Sequence, residues 1–198
     1  MKKVSLLVAA ALLAPSAFAH QAGDILVRGG AVMVSPSNDS SNTLDVQSNT
    51  QLGLTFSYML TDNWGVELLA ATPFSHSVHA DAFGGEVAKV KHLPPSLMAQ
   101  YYFGDAQSKV RPYVGAGVNY TFFFDEEGRG ALAGTKVEAD DSWGLAAQAG
   151  LDMAVTENLF VNGSIWYMDI DTEVTTAVGS FDTSIDPIGL MVGLGYRF

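Results

Sequence analysis

Read backwards from Phe198, the chain sets a large apolar residue at every second position: Phe198, Tyr196, Leu194, Val192, Leu190 and Ile188. Between them stand Arg197, Gly195, Gly193, Met191 and Gly189. Side chains alternate between the two faces of a strand, so this segment has one wholly apolar face and one nearly bare face. A water-soluble sheet must cover such a face with a second layer. A transmembrane barrel strand turns it to lipid and keeps the other face for the lumen.

The same period recurs along the chain. In Thr50–Leu60, Leu52, Leu54, Phe56, Tyr58 and Leu60 oppose Gln51, Gly53, Thr55, Ser57 and Met59. In Ser142–Met153, Trp143, Leu145, Ala147, Ala149, Leu151 and Met153 oppose a face of Ser142, glycines, Ala146, Gln148 and Asp152. In Arg111–Phe124, Val114, Ala116, Val118, Tyr120 and Phe122 oppose Tyr113, Gly115, Gly117, Asn119 and Thr121. Weaker alternation covers Asp24–Val34, Trp64–Thr72, Leu93–Phe103, Leu159–Ile170 and Ser184–Phe198. The pattern predicts eight strands, and their glycines would weaken helices. The connections alternate between short turns (61–63, 104–109, 155–158) and long polar stretches (36–49, 74–92, 125–140, 171–183). Short turns on one rim and long loops on the other are the plan of outer-membrane barrels, with both termini on the short-turn side. The fold expected is therefore all-β, an eight-stranded antiparallel transmembrane barrel of the outer-membrane type.

The first residues fit export. Lys2 and Lys3 precede an apolar run from Val4 to Ala14, followed by Pro15, Ser16 and Ala17-Phe18-Ala19. This is the three-part pattern of a secretory signal peptide, expected over residues 1–19. The run is too short to cross about 30 Å of hydrocarbon as a helix. The barrel domain then spans 20–198. All 21 acids but only eight of the ten bases follow Ala19. That excess of negative charge excludes nucleic acid as a partner, which requires a basic face, and opposes docking on anionic lipid. With no cysteine, the fold uses no disulfide although export permits one.

Aromatic residues are expected in two belts at the bilayer interfaces. Tyr58, Trp64, Tyr101, Tyr102, Phe103, Tyr113, Phe160, Tyr196 and Phe198 fall near the short turns, and Phe74, Tyr120, Phe122, Phe124, Trp143 and Tyr167 near the long loops.

Several segments are similar in order and spacing to one family. They include Asn49-Thr50-Gln51-Leu52-Gly53-Leu54, Thr61-Asp62-Asn63-Trp64-Gly65-Val66-Glu67-Leu68, His92-Leu93-Pro94-Pro95-Ser96 and Phe103-Gly104-Asp105. Arg111-Pro112-Tyr113-Val114-Gly115, Asp141-Ser142-Trp143-Gly144, Trp166-Tyr167-Met168-Asp169 and Gly195-Tyr196-Arg197-Phe198 continue the match. Together they resemble the OmpW family of small outer-membrane proteins of Gram-negative bacteria. The resemblance implies an eight-stranded barrel with an oily lumen that admits small hydrophobic molecules, without enzymatic activity or cofactor. It also implies a second use, a closed-lumen surface receptor for bacteriocins or phage. The terminal aromatics Tyr196 and Phe198 resemble the C-terminal signal read by the barrel-insertion machinery. Outer-membrane lipid and lipopolysaccharide are the surroundings expected.

Strand parity nominates the lumen. Val66, Leu68 and Ala70 are assigned to lipid, so Glu67, Leu69 and Ala71 face inward. Phe160, Asn162, Ser164, Trp166 and Met168 face inward on their strand, as do Met98 and Met59. Leu69 and Trp166 match family positions at a hydrophobic constriction, with Met98 and Met59 in the same lining. The competing expectation is that these residues merely fill the narrow interior that eight strands leave. Arg28, Glu67, Arg111, Asp152 and Arg197 are expected as a paired inward charge network, since enclosed charge requires partners. Pro94 and Pro95, which cannot donate to a ladder, mark a strand start or a weakened wall through which a solute leaves sideways. His76, His79 and Asp81, with His92 nearby, resemble metal ligands only superficially, and no metal is assigned. The acids Asp125-Glu126-Glu127 and Asp140-Asp141 read as a solvated loop face rather than a divalent-cation site bridging lipopolysaccharide. Ser75, His76 and Ser77 lack the orienting third group that nucleophilic catalysis requires.

Overall fold

The computed structural model describes residues 20–35, 44–46, 49–80, 85–176 and 179–198. The expected signal peptide and Asp81 lie outside them. With strands numbered in chain order, the barrel consists of β1 (Ile25–Ser35), β3 (Asn49–Met59), β4 (Trp64–Ala71), β7 (Ser96–Tyr102), β8 (Val110–Gly128), β10 (Ser142–Ala154), β11 (Leu159–Met168) and β14 (Ile188–Arg197). All pair antiparallel in the order β10-β11-β14-β1-β3-β4-β7-β8, and β8 returns to β10, which closes an eight-stranded cylinder. Closure removes every edge, as a bilayer without hydrogen-bonding solvent demands.

Each apolar face predicted from alternation lies on the outside. Ile188, Leu190, Val192, Leu194 and Tyr196 of β14 are exposed, as are Leu52, Leu54, Phe56 and Tyr58 of β3. Trp143 and Leu145 leave 72% and 69% of their surface uncovered, which water would penalise and hydrocarbon favours. Aromatic contacts build the two belts. On the turn rim Trp64 meets Tyr101, Tyr101 meets Phe103 and Tyr196 meets Phe198; on the loop rim Tyr120 meets Trp143. Four residues assigned to belts sit inside instead: Tyr102, Tyr113, Phe160 and Phe74 are all buried. For Tyr102, Tyr113 and Phe160 height along the strand matched a belt but parity pointed to the lumen, and parity decides; Phe74 begins β5, beyond the end of β4, where the parity of β4 no longer applies.

The loop rim differs most from expectation. The stretch 74–92 forms a hairpin of β5 (Phe74–Ala80) and β6 (Gly85–Leu93), and β6 continues onto β8, pairing Leu93 with Phe122 and His92 with Phe123. Strand β2 (Leu44–Val46) pairs with β5. A second small sheet holds β9 (Val137–Ala139), β12 (Asp171–Thr176) and β13 (Gly179–Ser184). These segments read as loops because their residues are polar, although Asp171-Thr172-Glu173-Val174-Thr175 alternates like a strand. Above the membrane no lipid faces the strands, and the alternating apolar signature weakens while pairing persists, with only a few residues such as Phe74, His92 and Val137 buried.

Candidate functional site

The lumen is built in storeys from inward-pointing residues. At the turn rim, Leu26, Met59, Tyr102, Tyr113 and Phe160 form one buried cluster. Glycines make room for it: a Cβ on Gly150 would run into the Tyr113 ring, and one on Gly195 into the Phe160 ring. His20, ahead of β1, closes the storey from below. Its ring lies edge-on to Tyr102 and Phe160, and its Nε2 lies 2.7 Å from Asp152 Oδ2. Arg111 holds this entrance by donating to three backbone carbonyls, those of His20, Asp62 and Phe103.

A polar floor lies above. Arg28 donates to Glu67 at 2.9 Å, to Asp152 at 2.6 Å, to Ser57 and to the Tyr102 hydroxyl. Gln148 donates to Glu67 and accepts from Gln100, which in turn accepts from Tyr102. Asn162 links Asp152 to Tyr113. Arg28, Glu67 and Asp152 are fully enclosed, and their mutual bonds are what make that burial tolerable. The expected inward charge network is therefore present in this group. Arg197 stands apart at the rim, 3.5 Å from Asp24.

The third storey is apolar. Val32, Val34, Leu69, Met98, Trp166, Met168 and Met191 pack with Phe74, Ala146 and Ile170. Leu69, Trp166 and Met98 thus come together, whereas Met59 belongs to the lowest storey, beneath the charged floor. Inward parity could not fix height. An apolar cavity of about 20 Å³, lined by Val32, Val34, Leu69, Phe74, Pro94 and Trp166 among others, remains in this storey. That is room for roughly one water molecule. Two buried polar groups here have no partner among the described residues, the Trp166 indole N–H and the hydroxyl of Thr55, the cross-strand partner of Leu69.

Pro94 and Pro95 separate β6 from β7 rather than opening one strand from Leu93. The β4–β7 ladder ends at Leu69–Ser96, so Ala70 and Ala71 have no partner on that side, while Tyr120 N–H still donates to Pro95 O from β8. His76 and His79 lie on β5, not on a loop. His92 lines the cavity too, stacked on Phe74 and tilted against Phe123. Of the loop acids, Asp125 pairs with Lys91, Glu127 with Arg129, and Asp141 accepts from the Tyr120 hydroxyl. Asp169, Asp171 and Asp186 converge within 4.8 Å on the loop rim, a cluster that tertiary pairing assembles and that sequence reasoning missed. His20, Gln100 and Gln148 were missed too, because a polar residue in a strand or short leader has no sequence signal for what it will touch.

Comparison with known proteins follows the geometry. The model of the OmpW family matches residues 21–198. Outer membrane protein W of Escherichia coli (strain K12) is 50% identical, with both chains covered in full. The crystal structure of the outer membrane protein OprG from Pseudomonas aeruginosa superposes with a TM-score of 0.83 at 41% identity, over 91% of this chain and 98% of that one. A protein named for a dibenzothiophene metabolism operon, PahQ of Pseudomonas aeruginosa, is 27% identical over 78% of this chain and 74% of its own.

Proposed function

Because this chain belongs to the OmpW family and is an outer-membrane barrel, we propose that it admits small hydrophobic molecules passively through its upper lumen. The observation that carries the reading is the composition of the third storey. Leu69, Met98, Trp166, Val32 and Met191 offer an incoming solute a mainly apolar surface, whereas an ordinary pore presents water and charge. Such a lining favours entry of neutral apolar molecules from the outside, where lipopolysaccharide retards them, and disfavours ions. A relative named for an operon of dibenzothiophene metabolism agrees with aromatic cargo. The paired floor of Arg28, Glu67 and Asp152 bars the way straight down. The exit we propose is lateral, through the unpaired wall between the end of β4 and Pro94–Pro95, into the outer membrane itself. Tyr196 and Phe198 are proposed as the signal for the insertion machinery.

The test is uptake of a neutral aromatic hydrocarbon into vesicles whose outer leaflet is lipopolysaccharide. The native barrel should accelerate entry over protein-free vesicles, and Trp166→Ala should change the rate at least severalfold, since it removes the largest ring at the constriction. Equal rates in both barrels would reduce Trp166 to packing.

The close filling of the third storey favours a second reading, a closed barrel that works as a receptor through its loop rim. The extension of β8 and the β5–β6 hairpin above the barrel supply a firm platform for it. In that case no solute enters faster with the protein than without it.

A further inference from the structure

The Trp166 indole N–H is buried in an apolar storey with no acceptor from the described residues. Native proteins pair nearly all such groups, and an exception calls for a reason. The six-membered ring packs on the bare backbone of Gly189 in β14, where Cε3 lies 3.2 Å from the place a Cβ would occupy. Of the residues that share the cavity with Trp166, Val32, Val34, Leu69, Ala71 and Phe74 offer no side-chain acceptor, and His92, whose ring nitrogen can accept, is not hydrogen-bonded to the indole. Met168 has a weak one, and its sulfur already faces Asn119 Nδ2 at 3.8 Å. Phenylalanine would supply an apolar ring there without a stranded donor.

We infer that the Trp166 N–H is a docking donor for solute, so that the chamber selects apolar molecules carrying one acceptor, such as aryl ketones, esters and ethers, over hydrocarbons of the same shape. This rests on the transport reading above and narrows its substrate class. A hydrocarbon leaves the N–H unpaired throughout passage. A carbonyl oxygen satisfies it at the narrowest point and recovers there the hydrogen bond it gave up on leaving water. The unpartnered hydroxyl of Thr55 adds a second donor on another strand of the same lumen.

Two shape-matched probes test this, 2-acetylnaphthalene and 2-ethylnaphthalene, with the full barrel in lipid nanodiscs and in the lipopolysaccharide-faced vesicles. The chain has three tryptophans, and Trp64 and Trp143 face outward, so the indole ¹H–¹⁵N signal of Trp166 can be assigned by its loss in Trp166→Phe. The ketone should move that signal downfield and the hydrocarbon should not. In vesicles the ketone should enter about fivefold faster than the hydrocarbon after correction for protein-free leakage, the scale of one net hydrogen bond. Trp166→Phe should bring the two corrected rates together. An indole signal indifferent to the ketone, or a preference that survives Trp166→Phe, overturns the inference and leaves uptake itself standing. An indole response with neither probe entering faster than through bare vesicles supports the docking donor and overturns transport.

Discussion

Arg28 shows what parity can and cannot reveal. Its inward direction follows from counting along β1, and so do those of Glu67 and Asp152. Which acid it would meet depends on the stagger between strands, and no single strand contains that. The same limit applies to His20, which precedes the first strand and shows no period at all. Its burial against Tyr102, Phe160 and Asp152 makes it the residue with the clearest pH consequence. Nε2 faces the Asp152 carboxylate and therefore carries the proton, while Nδ1 has no partner among the described residues. A second proton would sit on Nδ1, enclosed and near Arg28 and Arg111. Burial, chiefly, with those two guanidinium groups, holds the imidazole below its ordinary value of 6.5, against the raising effect of Asp152. The unfolded chain then takes up a proton that the folded chain refuses, so stability is complete above about pH 6.5 and declines as pH falls below it. The loss is at most about 1.4 kcal/mol per pH unit. Urea unfolding in lipid vesicles between pH 7.5 and 5 should show this slope, and His20→Gln, which keeps a donor for Asp152, should reduce it. Identical slopes in the two proteins would refute the assignment, because every other titrating group is common to both.

Strands were legible wherever the membrane imposes its two-sided chemistry. β3 and β10 have nearly the bounds that alternation assigns them, since lipid on one side and lumen on the other write a period of two into the sequence, whereas β14 starts at Ile188, not Ser184, which closes β13. The β5–β6 hairpin and the outer part of β8 were not legible, because no lipid faces them and the contrast between their faces weakens. The prolines are intermediate. Their inability to donate is evident from sequence, but the consequence, a β4–β7 ladder that stops at Leu69–Ser96, required the register. If that seam is the exit, joining it should stop uptake. The chain has no cysteine, so a pair introduced at Ala70 and Pro95, the next positions of the interrupted ladder, can form one defined disulfide. Oxidised Ala70→Cys/Pro95→Cys barrels should lose most of their hydrocarbon uptake, and reduction should restore it in the same vesicles. Uptake indifferent to the redox state would move the exit elsewhere.

At the scale of the molecule the three storeys amount to an oily chamber standing on a closed polar floor. The chain's formal charge of −11 has little part in this, because the buried charges are few, Arg28, Glu67 and Asp152 pairing with one another and Arg111 with backbone carbonyls, while most acids lie on the loop rim. An ion entering from outside must shed water against Leu69 and Trp166 and then displace the Arg28 network, with no charged partner among the residues of the upper storey. A neutral apolar molecule meets the first obstacle as an attraction and, by leaving sideways, never meets the second. Flux of hydrocarbon and flux of ions should therefore be separable. In planar bilayers the native barrel should carry almost no ionic current. Tyr102→Ala with Tyr113→Ala removes two rings in tilted contact, 5.0 Å apart, from the lowest storey and gives water a way to the charged floor. Combined with Trp166→Ala, which opens the storey above, that double variant should raise ionic conductance measurably, while the double variant alone keeps hydrocarbon uptake through the β4–β7 seam close to that of the native protein. If the native barrel conducts ions as well as the variant does, an aqueous path already crosses the floor, and the lateral route loses its physical necessity.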